Sequence, residues 1–295
     1  MKTWTPADIR QRVAEVPYWH YAFDLGDGIV TVPRHGDARR QFQRLDHIMP
    51  PLLHLCGGSL HGLSVLDVGC NQGFWSMEAA RAGADAVLGI EGRREHVATA
   101  RFVADVRKFD NVRFETQDAL DGSLARHEPF DVVLCLGLLY HVDRPLELLD
   151  QLFRLTRRYL VVDTSVIDVA APVLQLLFED PEDPRNAVGD GLVAVPSRSA
   201  VERMLWHVGF PQVWSLPQRT NELPPAYLQG RRATWIASRT QNDKPSIVDS
   251  SLLVAVPDND QIRSAPELLN PLSAEPVGRF LYEKLRQFKF RNRQK

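Results

Sequence analysis

The stretch Val65-Leu66-Asp67-Val68-Gly69-Cys70-Asn71-Gln72-Gly73 sets an apolar run, an acid and a glycine-bearing turn directly before Phe74 to Ala82, a segment with helical patterning. Gly69 and Gly73 carry no side chain, so a ligand can approach the backbone there, and N–H groups at a helix start can meet an anionic group. A second acid, Glu91, ends the next apolar run, Ala86 to Ile90. It follows the turn by about 20 residues, where a carboxylate that binds a ribose is expected. A carboxylate suits a vicinal diol because both of its oxygens accept hydrogen bonds. The spacing Gly69-x-x-x-Gly73 is not the G-x-G-x-x-G of a dinucleotide site.

These residues need a frame that alternates strands and helices. Period-2 and continuous apolar runs predict strands at 63–68, 86–90, 111–116, 131–136 and 159–164, and helical periodicity predicts helices at 74–82, 93–107 and 145–157. Strands separated by helices of this length argue for βαβ units and a parallel sheet. Residues 1–60 read as an N-terminal cap over the ligand mouth. It has a helix from Pro6 to Val16 capped by Thr5, a short strand over Ile29 to Val32, and a helix from Asp37 to Leu53 that Pro50-Pro51 interrupts. The domain built on this frame spans 61–240. Within it, 168–195 is an acidic, proline-interrupted insertion at the carboxyl edge of the sheet, where open α/β sheets bind ligands. Ser197 caps a helix to Val208, and Val213 to Leu216 with Ala233 to Ala237 fit a closing antiparallel pair. Residues 241–295 form a C-terminal extension with a possible strand over Ser250 to Val256 and a basic tail.

Further motifs follow in order. Asp118-Ala119 comes after the apolar segment Val112 to Phe114, and Phe130-Asp131-Val132-Val133-Leu134-Cys135-Leu136-Gly137-Leu138-Leu139-Tyr140-His141 looks like a fourth strand and its loop. The set resembles the motifs of class I S-adenosylmethionine-dependent methyltransferases. A narrower resemblance, over about residues 15–240, rests on Trp19, Phe23 to Thr31, Leu138 to His141, Val195-Pro196-Ser197 and Trp206 to Phe210. It is to the group related to the enzymes that modify tRNA wobble uridine to its 5-oxyacetic acid form, a group that also holds enzymes acting on small molecules and glycans. No counterpart of that tRNA enzyme's basic Arg-Lys-Gly-Pro stretch is present, and Tyr18-Trp19-His20-Tyr21 stands there instead. This counts against carboxy-S-adenosylmethionine and against tRNA.

The resemblance implies an α/β, Rossmann-like, seven-stranded and mostly parallel sheet with helices on both faces, and S-adenosylmethionine as cofactor. Gly69 and Gly73 would act through their backbone and Glu91 on the ribose. Asp67 would orient the turn or face the cofactor's ammonium. Asp118 would accept from the adenine amine, and Ala119 would offer a backbone N–H to the ring. Gly137 would let the chain turn beside the methionine part, and Tyr140 would face the transferring end. His141 is the general-base candidate, because imidazole takes up a proton near neutral pH. His20, His35, Asp24 and Asp163 are weaker candidates.

The net charge of −2 gives no field that draws in a polyanion, which disfavours nucleic acid. No apolar run reaches the ~20 residues of a membrane span, and the first residues lack a hydrophobic signal core, which reads as cytoplasmic. Cys56, Cys70 and Cys135 make a poor disulfide framework, and no metal-ligand spacing is present. The last 17 residues hold seven Lys or Arg and one acid, a tail that suits peripheral contact with anionic lipid or solvation. The expected activity is O-methylation of a small-molecule or glycan hydroxyl. The alternatives are a tRNA wobble-uridine enzyme and a catalytically idle binding protein on the same fold. Oligomeric state is not written in the sequence.

Overall fold

The computed structural model describes residues 3–34, 37–188, 191–240 and 251–258. His35, Gly189, Asp190, residues 241–250 and the basic tail lie outside the described residues. The five expected parallel strands are β1 (Ser64–Val68), β2 (Ala86–Glu91), β3 (Val112–Thr116), β4 (Phe130–Leu136) and β5 (Thr156–Ser165). With β8 (Gln212–Ser215), β9 (Arg232–Ser238) and β10 (Val254–Ala255) they form a sheet in the order β10-β8-β9-β5-β4-β1-β2-β3. It therefore has eight strands where seven were expected; the eighth, β10, pairs antiparallel with β8 at one edge. β9 runs antiparallel to both of its neighbours, β5 and β8. Strand order reverses between β1 and β4, which opens a crevice at the carboxyl ends of the strands.

Alternation along the strands feeds two cores. Val65, Val87, Phe114, Val132 and Leu134 face one cluster with α3 (Phe74–Arg81) and α4 (Arg94–Arg107), while Leu66, Val68, Val133, Cys135 and Leu160 face the other with α5 (Pro145–Leu155) and α6 (Arg198–His207). Burial on both faces is what continuous apolar strands of a parallel sheet require. The N-terminal segment shares the first core rather than only lying over the mouth. Ile9 of α1 (Pro6–Glu15) and Ile48 and Leu52 of α2 (Arg39–Leu55) are buried in it. Thr5 and Asp8 close a capping box on α1, and Ser197 accepts from the Ala200 N–H to cap α6.

Two local expectations are corrected. The Pro50-Pro51 pair does not interrupt α2, which runs on to Leu55. Two prolines remove the N–H groups that would bond the Asp46 and His47 carbonyls one turn back. Arg219 Nη2 donates to those two carbonyls instead, at 2.9 and 3.0 Å, so the helix keeps its partners through a residue far along the chain. Ile29 to Val32 is not a strand; only an isolated bridge joins Val30 to Asp24. The insertion is a β-hairpin of β6 (Leu174–Phe178) and β7 (Leu192–Pro196), followed in the chain by α6. α7 (Pro225–Leu228) precedes β9. Cys56, Cys70 and Cys135 form no disulfide, and among the described residues no helix is long and apolar enough to cross a membrane.

Candidate active site

The carboxyl ends of the parallel strands open into a cavity of about 740 Å³. Gly69, Glu91, Asp118, Ala119, Gly137, Tyr140 and His141 stand on its wall, and so does His20. Asp67 and Gly73 stand behind it. The Asp67 carboxylate is buried and accepts the Ser76 hydroxyl at 2.6 Å, tying β1 to α3, and burial lifts its pKa to about 7. A Cβ on Gly73 would come within 2.5 Å of Phe114 Cζ at a φ of +82°, so this glycine serves the packing beneath the turn. A Cβ on Gly69 would come within 3.0 Å of Leu138.

The turn's own N–H groups, from Gly69 to Gly73, are all engaged. Gly69 and Cys70 donate to the Ile90 carbonyl, Asn71 to Glu91 Oε2 at 3.0 Å, Gln72 to Asn71 Oδ1, and Gly73 to the Cys70 carbonyl. The turn therefore offers close approach rather than donors. Glu91 Oε1 accepts the Arg93 N–H at 2.9 Å, so this one carboxylate holds both the turn and the loop after β2. Burial raises its pKa against those two N–H bonds.

Polar groups on this wall still lack protein partners. His96 Nδ1 is buried without a hydrogen bond, 4.0 Å from Glu91 Oε1, and Gln117 Nε2 is likewise unpaired. Buried polar groups ordinarily find partners, so these two mark where a polar ligand belongs. Asp118 spends Oδ1 on the Leu120 N–H and keeps Oδ2 for a donor. A ribose beside Glu91 and an amine beside Asp118 fit this set, so an adenosine-bearing cofactor matches the residues present.

The other end of the cavity is built by the 3-10 turn Leu139–His141 and by strand ends. The Tyr140 and His141 rings lie 3.9 Å apart, and the Arg232 guanidinium lies 5.6 Å from the Tyr140 ring. Burial would raise the Tyr140 pKa, but the neighbouring His141 and Arg232 outweigh it and bring the phenol down to about 8. Burial works against the charged form of His141, yet Tyr140 and Glu179 outweigh that and raise its pKa. Glu179, just past β6, meets His141 Nδ1 at 2.6 Å through Oε2.

Asp163 is not available as a base. Its fully buried carboxylate takes Arg44 Nη2 and Arg232 Nε at 2.7 Å each, the Thr234 hydroxyl at 2.7 Å and the Tyr227 hydroxyl. Burial alone would raise its pKa; the two guanidiniums and two hydroxyls hold it well below the usual carboxylate range. The cluster joins α2, β5, α7 and β9, and its Arg44, Tyr227 and Arg232 line the cavity. Asp24 is exposed and accepts the Gly26 N–H away from the cavity. His20 is kept neutral by burial, its pKa lowered to about 3, and Tyr18 bonds its Nδ1.

Several residues here had no reading in the sequence. Gln72 sits inside the glycine motif, and its amide bridges the Tyr18 carbonyl and the His20 N–H, fastening the N-terminal segment to the turn. Its place in the motif was the available signal. Glu179, Arg44 and Arg232 carried none, since each acts on a partner distant in sequence.

A family described as a methyltransferase domain matches residues 59–194. The chain is 34% identical over 111 residues to a ubiquinone biosynthesis O-methyltransferase of Neisseria meningitidis serogroup C, covering 37% of this chain and 47% of that protein. It is 30% identical over 229 residues to a tRNA U34 carboxymethyltransferase of Pseudomonas syringae pv. tomato, covering 75% of this chain and 63% of that one. The N-terminal domain of EvdMO1, solved with S-adenosylhomocysteine and D-fucose, superposes with a TM-score of 0.62 at 23% identity over 80% of this chain and 97% of that one, a likeness of fold. The chain spans about half the length of several of the curated relatives it matches. Fold and relatives agree that residues 59–194 carry a methyltransferase domain of the class I S-adenosylmethionine-dependent kind. Within that class it resembles both small-molecule O-methyltransferases and the tRNA U34 carboxymethyltransferases.

Proposed function

We propose that this protein moves the methyl group of S-adenosylmethionine to a hydroxyl oxygen of a small molecule or glycan. The observation that carries the reading is one cavity lined by Glu91, Asp118, Tyr140 and His141 together. Glu91 would hold the ribose hydroxyls, Asp118 with the Ala119 N–H the adenine, and Gly69 and Gly137 the close backbone approach. Asp67 acts at one remove, through Ser76 and the turn. When bound, S-adenosylmethionine supplies a methyl carbon on a sulfonium, already a good leaving group. The protein's task is then alignment of the acceptor and removal of its proton. His141 takes that proton, with Nδ1 engaged by Glu179 and the Tyr140 side chain hydrogen-bonded to the same ring. Tyr140 lines the same end and orients the acceptor.

The O-methyltransferase relative supports a small hydroxylated acceptor. A tRNA wobble uridine is the second reading, supported by the U34 relatives and by Arg40, Arg44, Arg144, Arg185 and Arg232 around the cavity. The net charge of −2 counts against it. Calorimetry with S-adenosylmethionine and S-adenosylhomocysteine, followed by a mass-spectrometric search for methylated products in cell extract, tests the proposal. Well-folded protein that binds neither compound would refute it. Salt-sensitive tRNA binding with methylation of that tRNA would transfer the assignment to RNA. Cofactor binding without turnover over a broad hydroxyl panel would favour an idle binding protein.

A further inference from the structure

The insertion hairpin reaches both ends of the cavity. Its β7 is pinned beside the base by the Ala194 N–H to the Val142 carbonyl at 2.8 Å. Its loop winds around one side chain of the loop after β2: Arg93 Nη2 lies 3.1–3.3 Å from the carbonyls of Pro181, Asp183, Asn186 and Ala187. Val188 of the same loop closes over Gly92, where a Cβ would come within 3.1 Å of it.

These contacts join into a chain. Arg93 bonds the Ala187 carbonyl at 3.2 Å, the Ala187 N–H donates to Glu179 Oε2 at 2.8 Å, and the same oxygen meets His141 Nδ1 at 2.6 Å. Arg93 is in turn fixed by its own N–H on Glu91. The groups facing the imidazole are Glu179 from the hairpin and Tyr140 from its own turn, with Arg232 and Arg44 acting on Tyr140 from β9 and α2. Glu179 is the carboxylate in hydrogen-bond contact with it among the described residues.

We propose that Glu179 is a positioning residue of the transfer reaction, fixing the His141 ring through Nδ1 so that Nε2 faces the acceptor, and that the loop 181–187 wound on Arg93 delivers it. The proposal rests on the reading of His141 as the base. A carboxylate on Nδ1 selects the tautomer with the proton on that nitrogen and stabilises the imidazolium that forms when the acceptor's proton arrives. Glu179 then acts through His141 rather than on the reacting atoms. A segment with no motif of its own becomes necessary to the chemistry, and it links the loop that carries the ribose acid to the base.

The test uses the full-length protein with S-adenosylhomocysteine bound, and ¹⁵N-labelled histidine read by long-range NMR. His141 is assigned by its absence in His141→Gln. Glu179→Gln keeps shape and removes charge, and should lower the His141 titration midpoint by about 1–2 pH units. Arg93→Ala keeps the Glu179 carboxylate in the chain but removes the loop's anchor, so Glu179 loses its place on Nδ1 and at least half of that fall should appear, while Arg93→Lys restores part of the midpoint. With an acceptor in hand, Glu179→Gln should lower kcat by about ten- to a hundredfold, inside the 10²–10⁴ that a general base supplies, with KM for S-adenosylmethionine nearly unchanged. A midpoint unmoved in Glu179→Gln overturns the positioning role. A fall in Glu179→Gln without one in Arg93→Ala overturns delivery by the loop. Full turnover in His141→Gln refutes the base itself, a separate outcome that leaves the titration result readable.

Discussion

Replacing Glu91 with alanine separates its two duties. The carboxylate accepts the Asn71 N–H at 3.0 Å and the Arg93 N–H at 2.9 Å. Bonds to a charged acceptor contribute about 1.5–3 kcal/mol each. Two facts reduce the net loss. Burial already disfavours the charged form, so removing it returns part of the desolvation cost, and the residue lines the cavity, so water can reach the two freed N–H groups. The fold should lose roughly 1–3 kcal/mol, a fall of several degrees in Tm. Cofactor affinity should fall about ten- to a hundredfold if the ribose hydroxyls lose the same acceptor. Affinity loss alone does not prove contact, because the turn itself relaxes. Calorimetry with S-adenosylhomocysteine and its 2′-deoxy analogue on both proteins closes a double cycle. In the native protein, deleting the hydroxyl should cost about 1–2 kcal/mol; in Glu91→Ala it should cost less than about 0.5 kcal/mol. An equal cost in both proteins would show that Glu91 serves the turn and never meets the ribose.

Three further outcomes follow from the buried groups. Asp163→Asn leaves Arg44 and Arg232 facing a neutral amide in the interior, and should destabilise the protein by about 3–5 kcal/mol in urea unfolding; a change below 1 kcal/mol would refute the cluster's structural role. Arg219→Ala strips the two carbonyls beneath Pro50-Pro51 and should cost about 1–2 kcal/mol, whereas Pro50→Ala in the same background should recover part of it by restoring a helical N–H. The pH dependence has a defined sign. Burial lowers His20 to about 3 and His47 and His96 to about 4, so the unfolded chain binds their protons near pH 6.5 while the native protein does not. Their contribution is complete above pH 6.5 and lost as pH falls toward 4. Asp67, raised to about 7, acts oppositely, since the native protein keeps its proton above pH 4. These four groups give a net of about two protons, and the raised Glu78, Glu91 and Glu202 reduce it, so the loss on acidification between 6 and 4.5 stays below about 3 kcal/mol per pH unit. Urea midpoints that stay flat across that range would refute it, and His96→Gln should remove about one proton from the slope.

What the sequence by itself determined was whatever repeats locally. Alternating apolar residues such as Val132, Val133, Leu134 and Cys135 divide between two cores because a strand turns each successive side chain to the opposite face. The Gly69–Gly73 turn, Glu91 and Asp118 were legible for the same reason: each follows a strand end within a few residues, and the parallel sheet brings those ends to one crevice. What only the tertiary structure decided depends on partners distant along the chain. α2 passes through two prolines because Arg219 reaches back to it, Asp163 is spent on residues from three other elements, and His141 meets a carboxylate carried in by a hairpin. The backbone period that makes strands and helices readable extends over neighbouring residues only. A side-chain hydrogen bond between elements obeys no such period; it exists once packing has fixed both ends.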